Sequence, residues 1–332
     1  MALLLPGTAF AQEEDTTPKG VFSFTGENDS LSTGADRNYT SGIKLSYVRP
    51  TGDLPGWLEP FGRALTAMTG ARPEFWGAGI GQSLFTPEDI QANPAPPDQH
   101  PYAGWLYAQA LLATFENRGH GAFPRYGDLY ELEIGIVGPS ALGEQSQKGI
   151  HQLMNAPIPN GWDSQLHDEV AFAVSYERRW STLRLSADVG PDVLELALSP
   201  NVGATLGTLR TEARAGVAVQ IGRDIINDYE IGPPRVRPSL SGAGYFEHKG
   251  FSWSLFAGVQ GRAVARDLFL DGNTFEDSAR VDKKPFVLDG QLGFTVQVGD
   301  ARMAYTYVLR TDEFDTQGEI QDFGTVALQV RF

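Results

Sequence analysis

The sequence predicts an all-β chain, a transmembrane antiparallel β-barrel of about 12 strands. Three observations carry this. Segments of roughly 8 to 13 residues alternate apolar and polar side chains, and a tilted membrane strand needs about 9–11 residues. Breaks rich in Gly, Pro, Asn and Asp separate these segments. Beyond the first residues there is no run of about 20 apolar residues, which excludes spanning helices but not strands with a single apolar face.

Residues 21–26 open the series as a short strand, and 27–38 form a polar loop. In 41–48, Ile43, Leu45 and Tyr47 share one face and Lys44 and Ser46 the other, the period of a half-buried strand. Residues 50–57 read as a turn and 58–68 as a short helix or irregular connection. A glycine-rich strand over 75–85 leads into 87–101, whose five prolines mark a long loop of the kind that often carries function. In 102–114, Leu106, Ala108, Ala110 and Leu112 oppose Trp105, Tyr107 and Gln109; in 130–137, Leu132 and Ile134 oppose Glu131 and Glu133. Glutamates on one face suit a polar lumen with the apolar face on lipid. A soluble sandwich would turn the same glutamates to bulk water, and periodicity does not separate the two. Residues 138–162 break the rhythm, with a short helix over 146–154 that carries Gln147, Lys148 and His151. Strands resume at 169–177, 181–189, 202–206, 212–221, 251–263, 286–298, 301–309 and 322–332, and 232–238 is a proline-rich loop. Gly299-Asp300 is a hairpin turn.

Composition narrows the function. With 26 basic against 41 acidic residues, net −15, the chain lacks the basic stripes that neutralise phosphates, so no nucleic-acid partner is expected. The absence of cysteine excludes disulfides, thiol catalysis and cysteine metal sites. At the N-terminus, Leu3, Leu4 and Leu5 precede the small-x-small triplet Ala9-Phe10-Ala11, the end of a secretory signal. Residues 1–11 are therefore expected to be a signal-peptide remnant and 12–332 a single barrel domain.

Three polar clusters hold candidate chemistry. Asn28 and Asp29 end the first strand and offer oxygens to a hard cation such as calcium, or simply cap a turn. Thr40, in Asp36-Arg37-Asn38-Tyr39-Thr40-Ser41-Gly42, offers a hydroxyl to a bound group or to nearby backbone. His151, one of five histidines, is a candidate general base or an ordinary hydrogen-bonded residue. There is no HExxH, no GxSxG and no phosphate loop.

Together with Ile136-Val137-Gly138-Pro139, Gly143-Glu144-Gln145, Gln147 and His151, and then Gly161-Trp162-Asp163 and Gln165, these stretches resemble the outer-membrane lipid A 3'-O-deacylase family. The resemblance spans roughly residues 20–332 and is densest in the first half. It implies a twelve-stranded barrel in the bacterial outer membrane. The implied enzyme is a calcium-dependent esterase that removes the 3'-O-linked acyloxyacyl group from lipid A of lipopolysaccharide. His151 matches the family's catalytic base, Asn28 and Thr40 its other catalytic residues, and Asp29 its metal-side residue. Ending the last strand on Phe332 looks like the assembly signature of such barrels. The family's pattern has a carboxylate six positions after the histidine, where this chain has Pro157. Glu144, Asp163 and Asp168 are the carboxylates nearest in sequence to replace it. The pattern also has a lysine in the loop matching 87–101, which here holds neither Lys nor Arg. Arg37, Lys44, Arg125 and Lys148 are candidate contacts for an anionic headgroup. Outer-membrane lipid is the expected surrounding partner and a monomer the expected state. The competing readings are a non-catalytic lipid-binding or structural barrel, and a passive pore.

Overall fold

The strands show why this chain seeks lipid. In β1 (Val21–Asn28), Ser23, Thr25 and Glu27 are buried while Phe22 and Phe24 are exposed. In β5 (Tyr126–Val137), Glu131 is buried while Leu132 and Ile134 lie on the outside. A soluble sheet would have the reverse arrangement; exposed apolar side chains around buried polar ones are the pattern of a membrane barrel. The computed structural model describes residues 20–32, 38–52, 54–116, 126–190, 192–225, 244–247 and 249–332. The expected leader, the 232–238 loop, Asp36, Arg37 and Arg125 lie outside these residues.

The other strands are β2 (Asn38–Pro50), β3 (Phe75–Thr86), β4 (Ala103–Phe115), β6 (Glu169–Trp180), β7 (Leu183–Val189), β8 (Asp192–Gly207), β9 (Arg210–Arg223), β10 (Lys249–Asp267), β11 (Phe286–Gly299), β12 (Ala301–Arg310) and β13 (Gln321–Arg331). Successive strands pair antiparallel, and β13 returns to β1, with Val21 opposite Arg331 and Asn28 opposite Gly324. β6 and β7 both pair with β8, which closes the cylinder. The wall is a 12-strand antiparallel β-barrel in which β6 and β7 are two halves of one broken strand.

This corrects two sequence expectations. Residues 181–189 are not a strand of their own in the wall but continue β6 after a break at Ser181-Thr182, where Thr182 N–H still donates to the Leu198 carbonyl (3.1 Å). Their partner is β8, which runs over 16 residues rather than only 202–206. Pro200 hid the rest of β8, since proline inside a run argues against a strand. It lies opposite the break, where the ladder is already interrupted.

The lumen is filled by side chains. Arg262 donates to Asp289 (2.8 Å) and Glu313 (3.0 Å), Arg310 to Asp289 (2.7 Å), and Arg210 to Asp267 (2.9 Å). Buried charges persist only when paired in this way. Above them, the short helix α3 (Leu268–Asp271) folds inward with Leu268, Phe269 and Leu270 buried. Phe269 stacks on Phe85 at 4.1 Å and Phe85 on His100 at 5.4 Å. Burial pushes the His100 imidazole below its usual pKa, so it is held neutral.

Two further helices lie outside the wall. α1 (Glu59–Thr69) settles 58–68, read as a short helix or irregular connection, as a helix, and α2 (Gly143–Met154) covers the helix expected over 146–154. Among the described residues no helix is long and apolar enough to cross a membrane. Both ends of the described chain meet at one rim, where Gly20 and Phe332 exchange backbone hydrogen bonds of 3.0 Å. The connections 87–102, 138–168 and 268–285 crown the other rim.

Candidate active site

Asn28, Asp29 and Thr40 lie at that second rim, as does the helix that carries His151. Asn28 is the last residue of β1 and shares the outward side with Phe24 and Gly26. Its amide Nδ2 donates to the Thr40 carbonyl (3.2 Å). Asp29 follows in a short 3-10 turn (Asp29–Leu31) and is buried; its carbonyl accepts from Ser32 N–H at 3.0 Å. This turn lies back over the wall, where Tyr305 Oη donates to the Leu31 carbonyl (2.9 Å). Only glycine fits beneath it, since a Cβ on Gly324 would sit 2.7 Å from that of Leu31. Thr40 occupies a bulge between Tyr39 and Ser41. It is buried, and its hydroxyl is hydrogen-bonded to Thr86 Oγ1 (2.7 Å).

His151 arrives on α2. Gly143, Gln147 and His151 are buried, and their four-residue spacing places them along one stripe of the helix. The helix is clamped to the wall at its start. Gln82 Nε2 donates to the Ala141 carbonyl (2.6 Å). Gly143 rests on Gly104, where an added Cβ would lie 3.2 Å from the Gly143 Cα. In mid-helix, Trp162 Nε1 donates to Gln147 Oε1 (2.8 Å) and its ring packs on Tyr102 at 4.9 Å. The Gln147 Nε2 donor is buried and has no hydrogen-bond partner among the described residues. Residue spacing places Gln147 one turn before His151 but does not make it stand apart; the signal is its burial with one end satisfied.

His151 Nδ1 lies 2.6 Å from the Pro157 carbonyl oxygen. A carbonyl only accepts, so Nδ1 is the donor here, and in the neutral imidazole Nε2 is the accepting nitrogen. The backbone of the residue that stands in place of the family's carboxylate thus orients the imidazole. Between α2 and β1–β3 runs a groove of about 430 Å³, lined by Phe24, Asn28, Ile43, Leu84, Ser146 and Ile150 among others. Its walls are mostly apolar, and it opens on the face where Phe24 and Ile43 are exposed. Asn28 lies in this groove, and α2, which carries His151, forms one bank.

The other candidates are placed differently. Lys44 is buried and shares the lumen side of β2, opposite Thr25, so it does not face the groove. Lys148 is tied to Glu144 at 2.5 Å. Asp168 accepts from the Ser140 N–H (2.8 Å) and hydroxyl (2.6 Å). Among the described residues no group of three or more His, Asp and Glu could hold a metal. This does not fit the multi-carboxylate cage that calcium usually takes.

Fold and exposed apolar face together define an outer-membrane barrel, with an apolar groove on its lipid side. The profile of the outer membrane protein LpxR family matches residues 1–332, and the chain belongs to that family. LpxR from Salmonella typhimurium has the same fold, with a TM-score of 0.73 and 19% identity over 94% of this chain and 100% of that one. The β domain of the Bordetella autotransporter BrkA aligns over 95% of this chain and 98% of that one, with a TM-score of 0.40 and 10% identity. No curated protein sequence matches. Membership makes the chain a lipid-handling enzyme of the bacterial outer membrane, associated in general terms with lipid A and lipopolysaccharide.

Proposed function

We propose that this barrel is an esterase that removes the 3'-O-linked acyloxyacyl group of lipid A in a calcium-dependent manner. The observation that supports it best is the apolar groove on the lipid face, with Asn28 in it and the His151 helix along its bank. A lipid ester enters such a groove sideways from the membrane, acyl chain first, without crossing the lumen. In outer-membrane barrels the longer loops face outward, which sets the groove in the lipopolysaccharide leaflet.

In this reading His151 Nε2 takes a proton from water as the water oxygen attacks the ester carbonyl. The amides of Asn28 and Gln147 donate to the oxyanion as it develops. Collapse breaks the carbon–oxygen bond to the sugar, and His151 returns its proton to the departing oxygen. A fatty acid and a free 3'-hydroxyl result. Thr40 supports the bulge whose carbonyl holds Asn28. Calcium rests on the family resemblance alone: Asp29 would supply its side-chain oxygen, and the steps above use protein groups only. The packed arginine–carboxylate lumen speaks against a passive pore, since it fills the path an aqueous channel would need.

Mass analysis of lipid A from cells producing wild type or His151→Ala, grown with calcium or with a chelator, tests this. The expected result is loss of a 3'-acyl group with wild type and calcium only. Identical lipid A in all arms, with folded barrel present in the membrane, would rule the reading out. Deacylation that persists under chelation would remove calcium from it.

A further inference from the structure

The opposite rim carries a second candidate site, far along β2 and β3 from the groove. Its level in the membrane is marked by aromatic side chains on the outer face. Tyr47 packs against Trp76 at 6.0 Å and Phe332 at 6.1 Å, Tyr130 against Tyr176 at 5.2 Å, and Arg178 stacks over Tyr126 at 4.0 Å. Such girdles sit where lipid headgroups meet water. α1 lies against the wall at this level. Leu58 and Leu65 are buried with Leu112 of β4, together with Phe61, Trp76 and Tyr130, while Trp57 and Met68 point away, 60% and 74% exposed. This is an interfacial amphipathic helix.

Three polar atoms beside it have no hydrogen-bond partner among the described residues. Arg49 and Trp76 face each other across the β2–β3 ladder, and Thr51 lies two residues beyond Arg49. Arg49 Nε, Trp76 Nε1 and Thr51 Oγ1 are all buried without a hydrogen bond, and Arg49 forms no ion pair among the described residues. Thr51 also lines an open cleft of about 740 Å³ along α1, with Gly62, Arg63, Thr66 and Arg72. Arg72 likewise has no ion pair among the described residues, whereas Arg63 faces Glu59 at 3.6 Å. Buried donors left unmade are costly, and here they are a guanidinium, an indole N–H and a hydroxyl together, in a chain of net charge −15. Away from the rim the same outer face turns apolar, with Leu45 opposite Ile80, both exposed.

We propose that Arg49, Thr51 and Trp76, with Arg72 at the edge, bind the headgroup phosphate of one glycerophospholipid from the leaflet at this rim. The phosphate oxygens accept from all three donor types, and an acyl chain continues along Leu45 and Ile80. The site is separate from the esterase groove, and neither reading depends on the other.

Native mass spectrometry of the purified full chain in detergent tests this, with phosphatidylglycerol, diacylglycerol or inorganic phosphate added. Wild type is expected to retain one phosphatidylglycerol, and the Arg49→Gln, Arg72→Gln double variant about tenfold less, as fits loss of charge-assisted hydrogen bonds. Trp76→Phe, which keeps the ring and removes only the N–H, is expected to fall between them. Diacylglycerol is expected not to be retained, and equimolar inorganic phosphate not to displace the lipid. Equal retention by wild type and both variants, or of diacylglycerol and phosphatidylglycerol, would overturn the proposal. Displacement by inorganic phosphate would show a free-anion site instead of a lipid site. Heat-modifiable migration on gels confirms that each variant is folded.

Discussion

Gln147 and His151 show what a single side chain contributes here. Gln147 is held by Trp162 at its oxygen and leaves its amide N–H inside the protein without a partner. As an oxyanion donor it makes a sharp prediction. Gln147→Leu keeps the packing volume and should lower kcat by about 10²–10³-fold, measured on lipid A, while the barrel folds normally. Unchanged kcat would remove Gln147 from the chemistry. Pro157 makes the opposite prediction. Its carbonyl, not its ring, meets His151, so Pro157→Ala should cost far less than the roughly 10–100-fold lost with a supporting side chain. Asn28, Asp29, Thr40 and His151 stand out as candidates by residue type and by the family resemblance. The Pro157 contact was not legible, because a backbone acceptor leaves no mark in residue identity. The inward turn of Lys44 was legible, since Lys44 alternates with Ile43 and Leu45 on the lipid side, and it argues against a headgroup contact there.

At the scale of elements, the site depends on α2 lying close against the wall and on the groove beneath it. Gly143 meets Trp162 and Gly104, and a Cβ there would come within 2.7 Å of the Trp162 ring. Gly143→Val should therefore lift the start of α2 and abolish deacylation, with far-ultraviolet circular dichroism of the barrel unchanged. Gly26 lies in the groove, and a Cβ there would meet only Phe24, at 3.6 Å. Gly26→Leu should then shorten the groove and shift the acyl chains removed toward shorter ones, read by mass analysis of released fatty acids. An unchanged chain-length profile would place the acyl chain elsewhere. Strand rhythm was legible wherever alternation was regular, as in β4 and β5. It failed at β8, where Pro200 interrupts the pattern and pairing to the broken β6–β7 strand restores it.

For the whole molecule, the charged lumen ties β9 to β12 together and plugs the barrel. Burial alone would raise the Glu313 carboxyl, yet Arg310 and Arg262 outweigh it and hold its pKa at about 2, against 4.5 when unperturbed. A depressed carboxylate stabilises the fold above its unfolded pKa and loses that contribution as pH falls. The midpoint of the heat-modifiable gel transition should therefore drop between pH 4.5 and about 2. Glu313→Gln should lack that component and be less stable at neutral pH by about 3–5 kcal/mol, the usual cost of stranding a buried ion's partner. The closed cylinder follows from segment length and paired faces, which is why its outline was legible. The lumen network was not, because which arginine meets which carboxylate depends on register between strands far apart in the chain.

In the proposed reaction a water activated by His151 cleaves a lipid A ester in a groove on the outer face. The most direct measurement is turnover of purified barrel on lipid A in ¹⁸O-labelled water, comparing wild type with His151→Ala. Wild type is expected to release a 3'-acyl acid carrying ¹⁸O, and the variant none. Release at equal rates from both proteins, or an unlabelled acid, would contradict it.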